Sequence, residues 1–183
     1  MLTIKISSKE GFDDKNNRFI SVPECTICVE HSLVSISKWE SKWHKPFLSD
    51  SEKTDAELRD YIRCMTITQN VKDEVYETLS VEELKAINDY IGDSMTATTI
   101  TDRRPESQRS HKIITSEQIY SWMVNYRIPF ECQRWHLNRL LTLIRILNIE
   151  NDTGKGKYMS RRAATSSNAA LNAARRKATG SKG

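Results

Sequence analysis

The residues with the most reactive side chains are few and widely spaced. Cys25 and Cys28 flank Thr26 and Ile27, a Cys-x-x-Cys arrangement in which two thiolates can share a zinc ion. Zinc takes about four converging ligands, and the other candidates, Cys64, Cys132, His44 and His136, form no second close pair. In an extended segment, side chains three apart point to opposite faces, so both thiols could not face one ion. Reduced, packed thiols are the simpler reading, and no metal is expected. Cys132 and His136 are four apart, a spacing that on a helix lets thiol and imidazole touch, as a nucleophile and its base must. On an otherwise apolar segment they read as packed core groups instead. Glu30-His31-Ser32 sets acid, base and hydroxyl side by side, but neighbours in sequence rarely converge, and no Gly-x-Ser-x-Gly elbow is present. There is also no P-loop and no Gly-x-Gly-x-x-Gly loop. The expectation is a non-enzymatic protein without a cofactor.

The chain has 183 residues, 38% of them hydrophobic, enough for one core and hardly for two. Its net charge of +4 is unevenly placed. Residues 150–183 hold eight Lys or Arg against two acids, a net of +6, which leaves −2 for residues 1–149. This predicts a single globular domain over 1–149 followed by a flexible basic tail over 150–183. Lys5, Lys9 and Glu10 interrupt any leader-like segment at the start, and no apolar run is long enough to span a bilayer, so a cytoplasmic protein is expected.

The elements that would position these residues follow from periodicity. Leu2-Thr-Ile-Lys-Ile6 alternates, Arg18-Phe-Ile-Ser-Val22 is β-prone, and residues 11–17 between them are turn-rich. They predict a β-hairpin of 2–6 with 18–22, with 26–29 as a third short strand. Leu33, Ile36, Trp39, Trp43 and Phe47 lie on one helical face, with Ser32 as N-cap and Pro46 as the stop. A second helix is read over 49–66, capped by Asp50 or Ser51, with Leu58, Tyr61, Ile62 and Met65 inward and Glu57 and Asp60 among the outward charges. Ser80-Val-Glu-Glu83 is a capping box opening a third helix that ends near Gly92. Residues 92–112 read as an exposed loop, or a loose hairpin between 98–100 and 112–114.

Residues 117–127 read as a helix with Ile119, Trp122, Met123 and Tyr126 inward, and Pro129 makes a tight link to the next one. That next helix, 130–150, is taken as the central core helix and the hairpin partner of 117–127. Leu137, Leu140, Leu141, Ile144 and Leu147 form its stripe, and Trp135, Leu143 and Ile146 give it a second apolar side. The fold class expected is α+β, a mainly helical bundle with a small N-terminal β-hairpin or sheet and a basic C-terminal helical tail.

Gly154 and Gly156 mark a joint, and beyond it 160–177 is alanine-rich with arginine pairs at both ends. Leu171 is its only large apolar residue, so this helix has little to bury alone and is expected to gain by docking. The candidate partner-binding residues are Trp43 and Phe47, at the end of the aromatic helix, with Arg161, Arg162, Leu171, Arg175 and Arg176 of the tail. The basic tail could also meet phosphate backbones, but it lacks interleaved aromatics and a recognition helix in a folded domain, so nucleic acid is disfavoured as a partner.

Several long stretches carry a resemblance: EHSLVSISKWESKWHKPF at 30–47, YIRCM at 61–65, NDYI at 88–91, MTATT at 95–99, IPFECQRWHLNRLLTLIR at 128–145 and NAALNAARR at 168–176. They resemble a family of tailed-bacteriophage morphogenesis proteins, the tail assembly chaperones. The resemblance implies a multi-copy protein of the infected bacterial cytoplasm that keeps the long helical tape-measure protein soluble and guides polymerisation of tail-tube subunits around it. A longer frameshifted product and homo-oligomers would fit such a role. Two alternatives stand beside it: a structural component of the virion, tail- or capsid-associated, and a nucleic-acid-binding accessory protein.

Overall fold

In the computed structural model, which describes residues 1–13, 18–100, 113–156, 165, 168–172, 174–176 and 180, the N-terminal alternation builds two small sheets. Strand β1 (Leu2–Ile6) pairs antiparallel with β4 (Cys25–Val29), bringing Ile4 opposite Ile27, and β2 (Lys9–Asp13) pairs antiparallel with β3 (Arg18–Val22). The expected hairpin of 2–6 with 18–22 is therefore wrong. Residues 9–13, which overlap the turn-rich stretch, form the partner of 18–22, and 25–29 returns to cover 2–6. The register explains the preference: pairing β1 with β4 puts Ile4, Ile6, Ile27 and Val29 on one buried face. Residues after α2 (Asp55–Met65) run along the other edge of β4: Ile67 N–H donates to the Cys28 carbonyl at 2.8 Å and Glu30 N–H to the Met65 carbonyl at 2.9 Å.

Helix α1 (Leu33–Trp43) starts where expected. The Ser32 hydroxyl accepts from Ser35 N–H while Ser35 Oγ accepts from Ser32 N–H, closing a capping box, and His44 ends the helix in the left-handed region at φ 53°. Helix α2 starts later than expected, at Asp55 rather than near 49. Its cap is Thr54, locked reciprocally with Glu57, and neither Asp50 nor Ser51 caps it. A short α3 (Asp73–Glu77) was not expected; Val75 and Tyr76 anchor it. Helix α4 (Val81–Gly92) carries the Ser80–Glu83 box as read, and Lys9 Nζ reaches both Glu83 Oε2 at 2.6 Å and the Thr78 carbonyl at 2.8 Å, tying β2 to its start. Residues 98–100 and 113–114 are not strands; the rest of that proposed hairpin lies outside the described residues.

The core is organised differently from the expectation. Helix α1, not the leucine-rich segment, is the hub: it packs against α2, α5 (Ser116–Asn125) and a 3₁₀ turn at Phe130–Arg134. Leu33, Ile36 and Trp39 are its fully buried face. The segment read as one helix from 130 is the 3₁₀ turn followed by α6 (Leu137–Gly156), and α5 packs mainly on α1 rather than as a hairpin on α6. Leu137, Leu140 and Ile144 are buried, whereas Leu141, Leu143, Ile146 and Leu147 are only half-buried. On α5, Ile119 and Met123 are sealed while Trp122 and Tyr126 are half-exposed. Helix α6 runs through Gly154 to Gly156, where a joint was expected.

The architecture is thus α+β and mainly helical, with the strands at the N-terminus. The chain forms two compact units, Met1–Ile144 and Arg145–Gly183. Among the described residues no helix is long and apolar enough to cross a membrane.

Candidate functional site

The face between α1 and α2 is built by carboxylates that the sequence pattern had turned outward. Glu57 is 1% exposed and Asp60 9%. Lys42 and Lys45 are three apart, as are Asp60 and Glu57, and the two helices run so that Lys42 meets Asp60 and Lys45 meets Glu57, each at 2.5 Å. The burial has a polar reason: Asp60 Oδ2 accepts from Trp43 Nε1 at 2.8 Å, and Glu57 Oε2 accepts from Thr54 N–H at 2.8 Å. The Lys45 hydrogen bond first, then the Thr54 backbone, hold the Glu57 carboxyl below the usual carboxylate range. Glu40 spans three elements, accepting from Phe47 N–H and Ser116 N–H, both at 2.8 Å, so it ties the α1–α2 connection and the start of α5 to one side chain.

Trp43 and Phe47 are both engaged in this cluster. Trp43 stacks on Trp39 with ring centroids 6.2 Å apart. Phe47 lies against Tyr61 at 3.9 Å and meets Trp39 edge-on at 5.1 Å. Both stay half-buried, so each ring leaves an edge uncovered. Trp39, at 1% exposure, is core, with its Nε1 donating to the Glu57 carbonyl at 2.8 Å.

A second polar cluster joins the starts of α1 and α6. His31 Nδ1 sits 2.5 Å from the Tyr61 hydroxyl, and the His31 and His136 rings meet edge-to-face at 5.1 Å. Leu137 N–H donates to the His31 carbonyl at 2.7 Å, and residues 32 and 136 form an isolated antiparallel bridge. Tyr90 crosses from α4, its hydroxyl donating to Glu30 Oε1 at 2.6 Å and its ring packing edge-on to His136 at 4.9 Å. Burial, then the neighbouring His136, lower the His31 imidazole to about 4, so it is neutral at ordinary pH. Burial lifts the Tyr61 phenol far above its ordinary value, and burial followed by the Glu30 hydrogen bond does the same to Tyr90. A neutral His31 and two protonated phenols can exchange hydrogen bonds without burying a charge of their own.

Glu30, His31 and Ser32 therefore diverge, toward Tyr90, Tyr61 and the α1 cap respectively, as neighbours were expected to. Cys132 and His136 do not lie on one helix: Cys132 is in the 3₁₀ turn and His136 precedes α6, so their spacing of four has no helical meaning. Cys25 and Cys28 lie on β4, both half-buried, and no group of three or more metal-ligating side chains occurs among the described residues. In the second unit, residues 168–172 and 174–176 are helical and exposed, Leu171 at 53%. Arg175 and Arg176 fall within this helix, whereas Arg161 and Arg162 lie outside the described residues.

The residues that sequence reasoning missed, Glu40, Glu57, Asp60, Tyr61 and Tyr90, had one readable signal. Thr54-x-x-Glu57 is a capping box, and it marks both the true start of α2 and an acid whose carboxylate already has partners. No family model, curated protein or solved structure matches the chain.

Proposed function

We propose that this protein is a non-enzymatic phage morphogenesis factor of the tail assembly chaperone kind, whose body is a rigid holder and whose basic helical segment engages a helical client such as the tape measure. The observation that supports this most lies in the second unit: residues 168–172 and 174–176 are helical and exposed, with the large apolar Leu171 uncovered among alanines and Arg175 and Arg176 close by. Such a helix buries too little to be stable by itself and gains order by lying in a groove or along another helix. The long segments that resemble the chaperone family support the choice of client. In this reading the uncovered edges of Trp43 and Phe47 form a second contact, and the protein works in the cytoplasm of the infected cell.

The test is co-expression with the tape-measure and tail-tube proteins of the same phage, followed by pull-down. Leu171→Asp, and separately Arg175→Glu with Arg176→Glu, should each reduce capture of the tape measure by roughly tenfold, the size expected for losing a central contact. Unchanged capture by both variants would overturn the role of this helix. Mass spectrometry of purified virions separates the chaperone from a permanent tail or capsid-associated component: a chaperone is nearly absent, a component is present at fixed stoichiometry.

A further inference from the structure

Helix α1 and the residues that close it show one sign of charge to the outside. Between Leu33 and Pro46 the acids and bases are Lys38, Glu40, Lys42 and Lys45. The three lysines are exposed, whereas Glu40 is 8% exposed and already accepts from Phe47 N–H and Ser116 N–H. Lys42 and Lys45 do have counter-ions, but these lie beneath them: the lysine side chains are 54% and 56% exposed, against 9% for that of Asp60 and 2% for that of Glu57. Lys38 pairs with no carboxylate among the described residues. The exposed Asp55 is two residues before Glu57, about 200° around α2, so it turns away from α1. The exposed Asp50 and Glu52 belong to the connection before α2. Lys38 and Lys42 stand one turn apart on α1, and Lys45 extends the row past the cap, because its partner Glu57 lies one turn from Asp60 on α2.

Trp43 borders this row and supplies an independent observation. Lys42 Nζ stands 5.8 Å from its ring centroid, and the ring stacks on Trp39 with centroids 6.2 Å apart. Its Nε1 is satisfied by Asp60 at 2.8 Å, yet the residue stays only half-buried. A tryptophan whose polar atom is engaged and whose ring is partly uncovered offers apolar contact alone, as interface anchors do. With Trp39 already stacked on the ring and no arginine in the row, the edge is a poor platform for nucleic-acid bases.

We propose that this edge of α1 docks an acidic amphipathic helix of a partner protein, with its carboxylates along Lys38, Lys42 and Lys45 and an apolar side chain laid against Trp43. Carboxylates at i, i+4 and i+7 of a helix keep the pitch of the lysines. An ammonium has three donors, so Lys42 and Lys45 can bond an incoming carboxylate while keeping Asp60 and Glu57. The proposal deepens the contact assigned to Trp43 above and does not rest on the tail helix. Fluorescence anisotropy tests it, using the full chain and a labelled alanine-based peptide of about six helical turns with Glu at that spacing and leucines beside the Glu positions. This peptide should bind roughly tenfold more tightly than the same peptide with Gln in place of Glu, and the gap should narrow as salt is added. Lys38→Glu breaks no ion pair within the described residues, so it should weaken binding by roughly tenfold and leave the urea midpoint unchanged. Equal binding of the two peptides, binding of neither, indifference to Lys38→Glu, or tighter binding of a single-stranded oligonucleotide than of the acidic peptide would overturn the proposal. Because the probe contains no phage protein, failure here leaves a tape-measure pull-down through the tail unaffected, and failure of the pull-down leaves peptide binding unaffected.

Discussion

The α1–α2 face and the tail helix both carry closely spaced charged residues in the sequence, yet the structure uses them in opposite ways. Around α1 the charges are satisfied inside the fold: Asp60 and Glu57 each take a lysine and a further donor while 9% and 1% exposed. In the second unit residues 168–172 and 174–176 remain on the surface and Leu171 is 53% exposed. The difference lies in what surrounds the charges. Trp39, Tyr61 and Phe47 give α1 and α2 a packed aromatic layer against which a paired carboxylate can be enclosed. One leucine among alanines provides no such layer. Charge pattern alone therefore cannot tell an enclosed surface from an available one; the aromatic residues beside it can.

The largest expected effect that sharpens this contrast is acid lability of the body. His31 titrates near 4 in the fold instead of 6.5, so the unfolded chain binds the extra proton between those values. The stabilisation from keeping it neutral is complete above about 6.5 and is lost as pH falls toward 4. This amounts to about 3 kcal/mol for a shift of this size. Glu57 acts in the same direction at lower pH, because a carboxyl held below its ordinary range stabilises above that range and loses its contribution as it is protonated. Urea unfolding midpoints followed from pH 7 to pH 4 should fall steeply, and less steeply in His31→Asn. A flat profile would mean that the imidazole is not sealed as described.

How much of this was legible in sequence follows from the range of the signals. Ser32, Ser80 with Glu83, and the Leu33–Ile36–Trp39 face are local patterns, and they placed α1 and α4 correctly. The pairing of 2–6 with 25–29 depends on which of two later strands covers Ile4 and Ile6, a long-range choice that alternation within each strand cannot express. The leucine run at 137–147 misled for a related reason: its apolar richness suggested the centre, but centrality belongs to α1, whose face meets three elements. Glu57 and Asp60 looked outward because charged residues usually are, and only partners on another helix reverse that. The histidine cluster brings the adjacent Glu30 and His31 together with Tyr61, Tyr90 and His136 from other parts of the chain, so no spacing along the chain could announce it.

A middling effect is expected at Glu40, where one carboxylate accepts from two backbone donors that begin or link other elements. Glu40→Gln keeps the shape but turns an amide N–H₂ toward either Phe47 N–H or Ser116 N–H, leaving two donors face to face. Ser116 is fully buried, so water cannot relieve the mismatch. The cost should be about 2 kcal/mol, read as a lower urea midpoint with an unchanged slope. A neutral substitution would show that the α5 start is held by its apolar face alone.

The smallest effect is expected in the tail, and its smallness is what gives the contrast its force. Leu171→Ala keeps helix propensity and removes a side chain more than half exposed, so stability should change by less than roughly 0.5 kcal/mol. If the same variant nevertheless loses its grip on a co-expressed tape-measure protein, the leucine serves a partner rather than the fold. A large drop in the urea midpoint would say the reverse, that this helix belongs to the packing of its own chain just as α1 does, and the distinction between the two regions would fail.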